Sequence, residues 1–317
     1  MLTVFFTTLE QMVRILLFLL LGFAFHRLHI LPKGAGAGIS KLITTLLLPC
    51  LLVYTNMTEF NLQDIGMYGQ QVLTGGLFWV VVMLVSLPIS KKLAGNHPVD
   101  RGVFLYGLCF PNTGSIGTPL ALALLGTSGL FHFNLFVLVS CTMTYAWGVS
   151  LFMDATQGNP IKRFLNSLRN PVCIAIFTGL FLGALNAKQW MPTLVTDFIG
   201  DLGSCHIPVS LFLAGYTIAE YPLGDVFKQP RSYVFTLLRL VLIPLAALCA
   251  ARLLELSQFM AILTVLAFSC PCGMNVVVFP ASYGQDCKTG ASAVLLSCIG
   301  ALLTVPMLYT LVHLLFP

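Results

Sequence analysis

The sequence predicts an all-α polytopic membrane protein with ten transmembrane helices arranged as a 5+5 inverted repeat. Three observations carry that reading. First, 57% of the 317 residues are apolar and only 9% are charged, whereas a soluble domain carries roughly 25% charged residues. Second, the apolar residues gather in windows near the ~20 residues that cross a bilayer as a helix. Third, the basic residues and an internal repeat divide the chain in the same way. The mean hydropathy of +0.92 agrees. This composition excludes an ordinary soluble enzyme, a disordered chain and a nucleic-acid binder. It leaves no length for a second, soluble domain.

In chain order the windows cover 4–25, 40–57, 67–90, 102–125, 130–152, 170–187, 194–219, 231–253, 258–282 and 289–315. Within hydrocarbon the backbone must satisfy its own hydrogen bonds, so each is a helix. Window 1 holds Glu10 and Arg14, four apart on one helix face and able to pair. Its length and these charges read as a span, not as a cleavable signal peptide. Window 2 contains Pro49, and window 3 carries Gln70 and Gln71, which face either a site or the interface. Window 7 opens with Asp197 and Asp201, read as solvated, and continues to His206 and Pro208. His206 reads as a packed residue, with a proton carrier as the alternative. Window 8 carries Arg239 at its middle. An intramembrane arginine is costly and faces a cavity or a partner; it is read either as a counter-charge for an anion or as a structural bond to backbone carbonyls.

Orientation follows from the cations. Arg27, Lys33, Lys41, Lys91, Lys92, Arg101, Lys162, Arg163, Arg169, Lys228, Arg231 and Lys288 all fall on the odd-to-even connections. Only Lys188 and Arg252 fall on the opposite ones. By the positive-inside rule the first group is cytoplasmic and both termini are extracytoplasmic in a cell (inner) membrane.

The connection after window 2 reads Glu59-Phe60-Asn61-Leu62-Gln63-Asp64, and that after window 7 reads Glu220-Tyr221-Pro222-Leu223-Gly224-Asp225. The two motifs share a glutamate, an aromatic, a leucine and an aspartate in register. The same offset carries Pro119 onto Pro280, and nearly carries Pro111 onto Pro271 and Pro49 onto Pro208. Residues 1–152 therefore form a first five-helix repeat, 153–169 a short cytoplasmic connection, and 170–317 a second repeat. Five is odd, so the halves enter the membrane from opposite sides. Inverted repeats with interrupted helices mark secondary transporters.

The interruptions lie in windows 4 and 9. The first holds Pro111, Asn112, Thr113, Gly114, Ser115 and Pro119; the second holds Pro271, Gly273, Met274, Asn275 and Pro280. Proline removes a backbone donor and clashes with the preceding turn, while glycine loosens the helix. Two such breaks at corresponding places point to a midplane binding site, where freed amides and carbonyls need partners and half-helix N-termini favour anions. With Arg239, the residues from Pro111 to Ser115, Pro119, Pro271 and Gly273 to Asn275 form the expected substrate site.

The stretch from Pro111 through Thr118-Pro119 to Ala123 resembles the fourth-helix signature of the auxin efflux carrier family. That family includes plant PIN carriers and bacterial carriers of malonate or malate. Leu48-Pro49, Ile207-Pro208 to Gly215, and Pro271 through Tyr283-Gly284-Gln285-Asp286 fit it too. The resemblance covers essentially the whole chain. It implies that helices 4 and 9 cross at their breaks, and that a scaffold and a crossover domain work as an elevator. Plant members usually carry a long loop between helices 5 and 6; the short one here implies a prokaryotic carrier.

The expected function is secondary transport of small organic anions, mono- or dicarboxylates. The alternatives are a sodium- or proton-coupled symporter of the bile-acid-transporter type and a transporter-like sensor. No acidic residue lies in either broken segment, so a sodium site of charged oxygens is not evident. Catalysis is not expected: Ser115, Cys270 and Cys272 lack an evident base, and neither a zinc-protease motif nor a phosphate loop occurs. The ten cysteines read as buried hydrophobes, and Cys270 and Cys272 lack the companions a metal site requires. No cofactor, metal or nucleic acid is expected. The partners are the organic anion, the lipid bilayer and, as the assembly considered, a second copy in a homodimer.

Overall fold

A computed structural model of the chain describes residues 2–32, 34–95, 97–152, 171–220, 224, 227–282 and 285–316. The helices, in order, are α1 (Leu2–Arg27), α2 (Ala35–Glu59), α3 (Ile65–Ala94), α4 (Pro98–Cys109) and α5 (Thr118–Ala146). They continue with α6 (Pro171–Ala184), α7 (Thr193–Ser204), α8 (His206–Ile218) and α9 (Pro230–Leu253). The last are α10 (Gln258–Ser269), α11 (Asn275–Ser282) and α12 (Lys288–Leu315). Among the described residues, seven helical stretches are long and apolar enough to cross a membrane, and Pro171–Ala184 and Gln258–Ser269 are shorter apolar helices. The protein is therefore polytopic. The connection 153–169 and most of the second loop motif, Tyr221–Leu223 and Asp225, lie outside the described residues, as do Tyr283 and Gly284.

Prolines shape these helices in a consistent way. Three π turns, Ile43–Leu47, Thr113–Gly117 and Leu238–Leu242, each end two residues before a proline: Pro49, Pro119 and Pro244. A proline cannot donate to the carbonyl four residues back and its ring crowds that carbonyl. One widened turn absorbs both problems without ending the helix. Hydroxyls assist: Thr44 and Thr45 donate to Ser40 and Lys41 carbonyls, and Thr118 donates to Thr113. Between the expected fourth and fifth windows, 102–125 and 130–152, helix α5 is interrupted at Gly126, whose φ of 73° and ψ of −171° favour glycine.

The helices pack in two groups. Helices α6 and α7 each lie against α2, and a small apolar core joins α2 to α6 at Leu52, Ala175 and Ile176. A larger continuous core runs through α3, α4, α5, α9, α10 and α12 and reaches α1 and α8. Helices α1 and α8 meet backbone to backbone. A Cβ on Gly22 would overlap the Phe212 carbonyl, and one on Gly215 would overlap that of Leu19. Between α3 and α9, Arg231 donates to the Ala94 carbonyl at 3.0 Å and so closes the end of α3. The expected pairing of Arg14 with Glu10 is present at 2.7 Å on an exposed face. Gln71 does not face the site described below; it meets His132 at 3.0 Å.

A candidate binding site where two broken helices cross

Helix α4 stops at Cys109 because Pro111 cannot continue it, and Phe110 is already extended. Helix α10 stops at Ser269, ahead of Cys270-Pro271. The two loose ends touch. Pro111 and Cys272 form an isolated antiparallel bridge, and Asn112 N–H donates to the Pro271 carbonyl at 2.8 Å. The contact is made by residues far apart in the chain.

The backbone groups freed at the breaks were expected to need partners, some of them from a substrate. Most find partners within the protein. Cys272 N–H donates to Ser297 Oγ at 3.0 Å. The Ile116 and Gly117 amides donate to the Asn112 carbonyl. Arg239, wholly buried, donates through Nε to the Cys270 carbonyl at 3.1 Å and through Nη1 to the Leu108 carbonyl at 2.9 Å. One guanidinium therefore joins the end of α4 to the end of α10. A planar donor fork suits two acceptors at fixed separation. Nε and Nη1 are thus committed to backbone carbonyls, Nη2 has no partner, and the residue does not line the cavity.

A cavity of about 730 Å³ opens beside the crossing. Of the expected site residues, Pro111, Asn112, Thr113, Gly114, Ser115, Gly273, Met274 and Asn275 line it. Pro119, Pro271 and Arg239 do not; Pro119 and Pro271 are buried behind the wall. Asn112 caps the π turn, its Oδ1 accepting from Ser115 N–H at 3.1 Å, while its Nδ2 has no partner. Asn275 begins α11 and donates through Nδ2 to the Tyr106 hydroxyl at 2.8 Å.

The facing wall comes from α2 and α8, through Ser40, Lys41, Thr44, His206, Ser210 and Thr217. His206, read as packed, is both: it is 1% exposed yet lines the cavity, with Nε2 3.3 Å from the Gly114 carbonyl. Lys41 and Glu220 place one charge of each sign on the wall. Partial burial holds the Glu220 carboxyl above the ordinary carboxylate range, against a smaller opposing pull from His26. Sequence reasoning missed Tyr106, Lys41 and Thr44 as lining residues. Tyr106 and Lys41 sit on regular helix and Thr44 in the π turn before Pro49, and none of these settings marks which face of a helix meets a cavity. Among the described residues no group of three or more His, Cys, Asp or Glu is arranged to hold a metal ion.

Comparison with known proteins completes the picture. Residues 7–309 match the sequence model of the membrane transport protein family. An uncharacterized transporter of Methanothermobacter thermautotrophicus is 20% identical over 309 residues, spanning 96% of this chain and 98% of its own. The uncharacterized transporter YfdV of Escherichia coli K12 is 22% identical over 303 residues, 92% of this chain and 94% of its own. These relatives and the family point to a transporter and not an enzyme. The chain belongs to the membrane transport protein family, the group of the auxin efflux carriers.

Proposed function

We propose that the protein is a secondary carrier that moves small organic anions, mono- or dicarboxylates, across the cell membrane by elevator-type alternating access. The observation that supports this most is the pairing of Pro111 with Cys272 beside a cavity that includes both asparagines. A volume of about 730 Å³ falls in the range of small-molecule pockets, ~300–1,000 Å³. The donors offered there are neutral amides. A neutral donor binds a carboxylate without the cost of burying a second full charge, which suits a carrier that must also release its cargo.

In this reading the chain has ten spans as a 5+5 inverted repeat, with α4 and the first arm of α5 forming one broken span and α10 with α11 the other. Helices α1, α2, α6, α7 and α8 act as the scaffold, and the remaining helices carry the crossing past it. Both termini are extracytoplasmic. The cavity wall includes Gly34, Gly36, Ala37, Lys41 and Glu220, which lie on connections that the basic residues assign to the cytoplasm, so this arrangement is inward-open. Arg239 acts as a positioning residue that holds the two breaks together.

The test is uptake of radiolabelled malonate and malate into proteoliposomes, with binding measured on Asn112→Ala and Asn275→Ala. Substrate affinity should fall by about 1–3 kcal/mol, roughly 5- to 150-fold, as for an unmade buried hydrogen bond. Loss of the Asn112 cap should itself lower stability by only about 1 kcal/mol. If both variants melt far below the parent while their folded fraction binds with unchanged affinity, the asparagines are structural and this site is wrong.

A further inference from the structure

Two buried side-chain nitrogens at the cavity wall have no hydrogen-bond partner: Nδ2 of Asn112 and Nδ1 of His206. The other polar atom of each is committed. Asn112 Oδ1 accepts from Ser115 N–H, and His206 Nε2 lies 3.3 Å from the Gly114 carbonyl. A carbonyl oxygen only accepts, so Nε2 carries the hydrogen. In the neutral ring Nδ1 then carries the lone pair. The histidine is thereby fixed to the same turn, Asn112 to Ser115, that presents the free amide.

A phenyl or aliphatic side chain would fill this position without leaving a buried nitrogen unpaired, at a cost of about 1–3 kcal/mol. The nitrogen is open to a partner that this arrangement of the protein does not supply. A lone pair repels a carboxylate and an N–H attracts one, so the ring suits an anion at Asn112 only after Nδ1 has gained a proton.

The charged surroundings do not supply a fixed partner. The titratable groups sharing the cavity wall are Lys41 on α2, Tyr106 on α4, Cys141 on α5 and Glu220 beyond α8. On α1, Glu10 and Arg14 pair with each other, and His26 meets the Tyr216 ring edge-on, its Nδ1 buried without a partner. On α7, Asp197 and Asp201 are exposed. Helix α12 carries Lys288 and His313, the latter beside Gln258.

We propose that His206 is the proton site of this carrier, an inference that rests on the anion-carrier reading above. Nδ1 takes one proton from water as the carboxylate binds at Asn112; His206 stays on the scaffold while the crossing moves past it, and it gives the proton up to water on the far side as the anion leaves. No covalent bond to carbon changes, and the ring alternates between its neutral and cationic forms.

The experiment follows protons and anions together. Proteoliposomes with a trapped pH-sensitive dye receive an inward gradient of radiolabelled malonate, and separately of malate, near pH ~8, where a free imidazole is largely neutral. Wild type should acidify its lumen by about one proton per anion taken up, the capacity of one imidazole. In His206→Gln, and in His206→Asn as a second variant, that ratio should fall to about zero whatever the remaining uptake rate. Uptake by wild type without proton movement overturns the inference and leaves the carrier reading standing. A ratio near one in a histidine variant does the same. Absence of malonate and malate uptake in folded wild type overturns both.

Discussion

Replacing Arg239 by lysine separates the two roles that an intramembrane cation can have. The lysine keeps a basic group at the same position. What changes is donor geometry. The guanidinium reaches the Leu108 and Cys270 carbonyls at once, at 2.9 and 3.1 Å. A compact ammonium on a shorter stem lacks that planar fork and serves one of them. The other carbonyl is left buried without a donor, at about 1–3 kcal/mol. For a chain of this size that corresponds to a melting temperature lower by about 2–6 °C. The assay is thermal melting of the purified protein in detergent without ligand, paired with malonate binding to the folded fraction. The expected result is a lower melt for Arg239→Lys, with affinity close to the parent. An unchanged melt together with a tenfold or greater loss of malonate affinity would show that the donors go to the anion, and would refute the account of Arg239 as the bond between the two breaks.

Two further outcomes are expected. For topology, single cysteines at Lys91 and Lys188, on a background lacking the ten native cysteines, should differ in intact cells. Position 188 should react with an impermeant thiol reagent and position 91 should not; labelling of position 91 from outside would reverse the orientation. For pH, the Glu220 carboxyl is held above its ordinary range, so the folded state binds that proton more readily than the unfolded state. Stability contributed by this group is then present below the unfolded carboxylate range and is lost as pH rises through the folded one. Glu220→Gln should raise the melting temperature at neutral pH and leave it unchanged well below pH ~4; an equal shift at both would remove the titration as its cause.

The positions of the breaks were legible because proline and glycine act locally. Pro111 and Pro271 each end a helix within two residues of where they stand. Charge pairs at helical spacing were equally legible, as Glu10 and Arg14 show. Prolines 49, 119 and 244 were not legible as π turns. Whether a proline kinks, ends or widens a helix depends on what packs around it, and at these three positions the helix widens. The partner of Arg239 was the hardest feature to read. Its acceptors are backbone carbonyls at positions 108 and 270, and a carbonyl is present at every position in a sequence.

That choice of partner bears on how a carrier of this design can work. Under the proposed elevator mechanism the site crosses the membrane both loaded and empty, so it has to be tolerable without cargo. Broken helices in hydrocarbon leave amides and carbonyls that cost several kcal/mol each when unpaired. Here Pro271, Ser297 and Arg239 answer those groups from within the protein. What stays unanswered at the cavity wall is the side-chain nitrogen of Asn112 and that of His206. The empty site therefore bears a small penalty, about one or two unmade hydrogen bonds at ~1–3 kcal/mol each. A penalty of that size is enough to favour occupancy and small enough to permit return. Had the substrate been required to pair the backbone itself, the empty crossing would be too unstable to make the journey back.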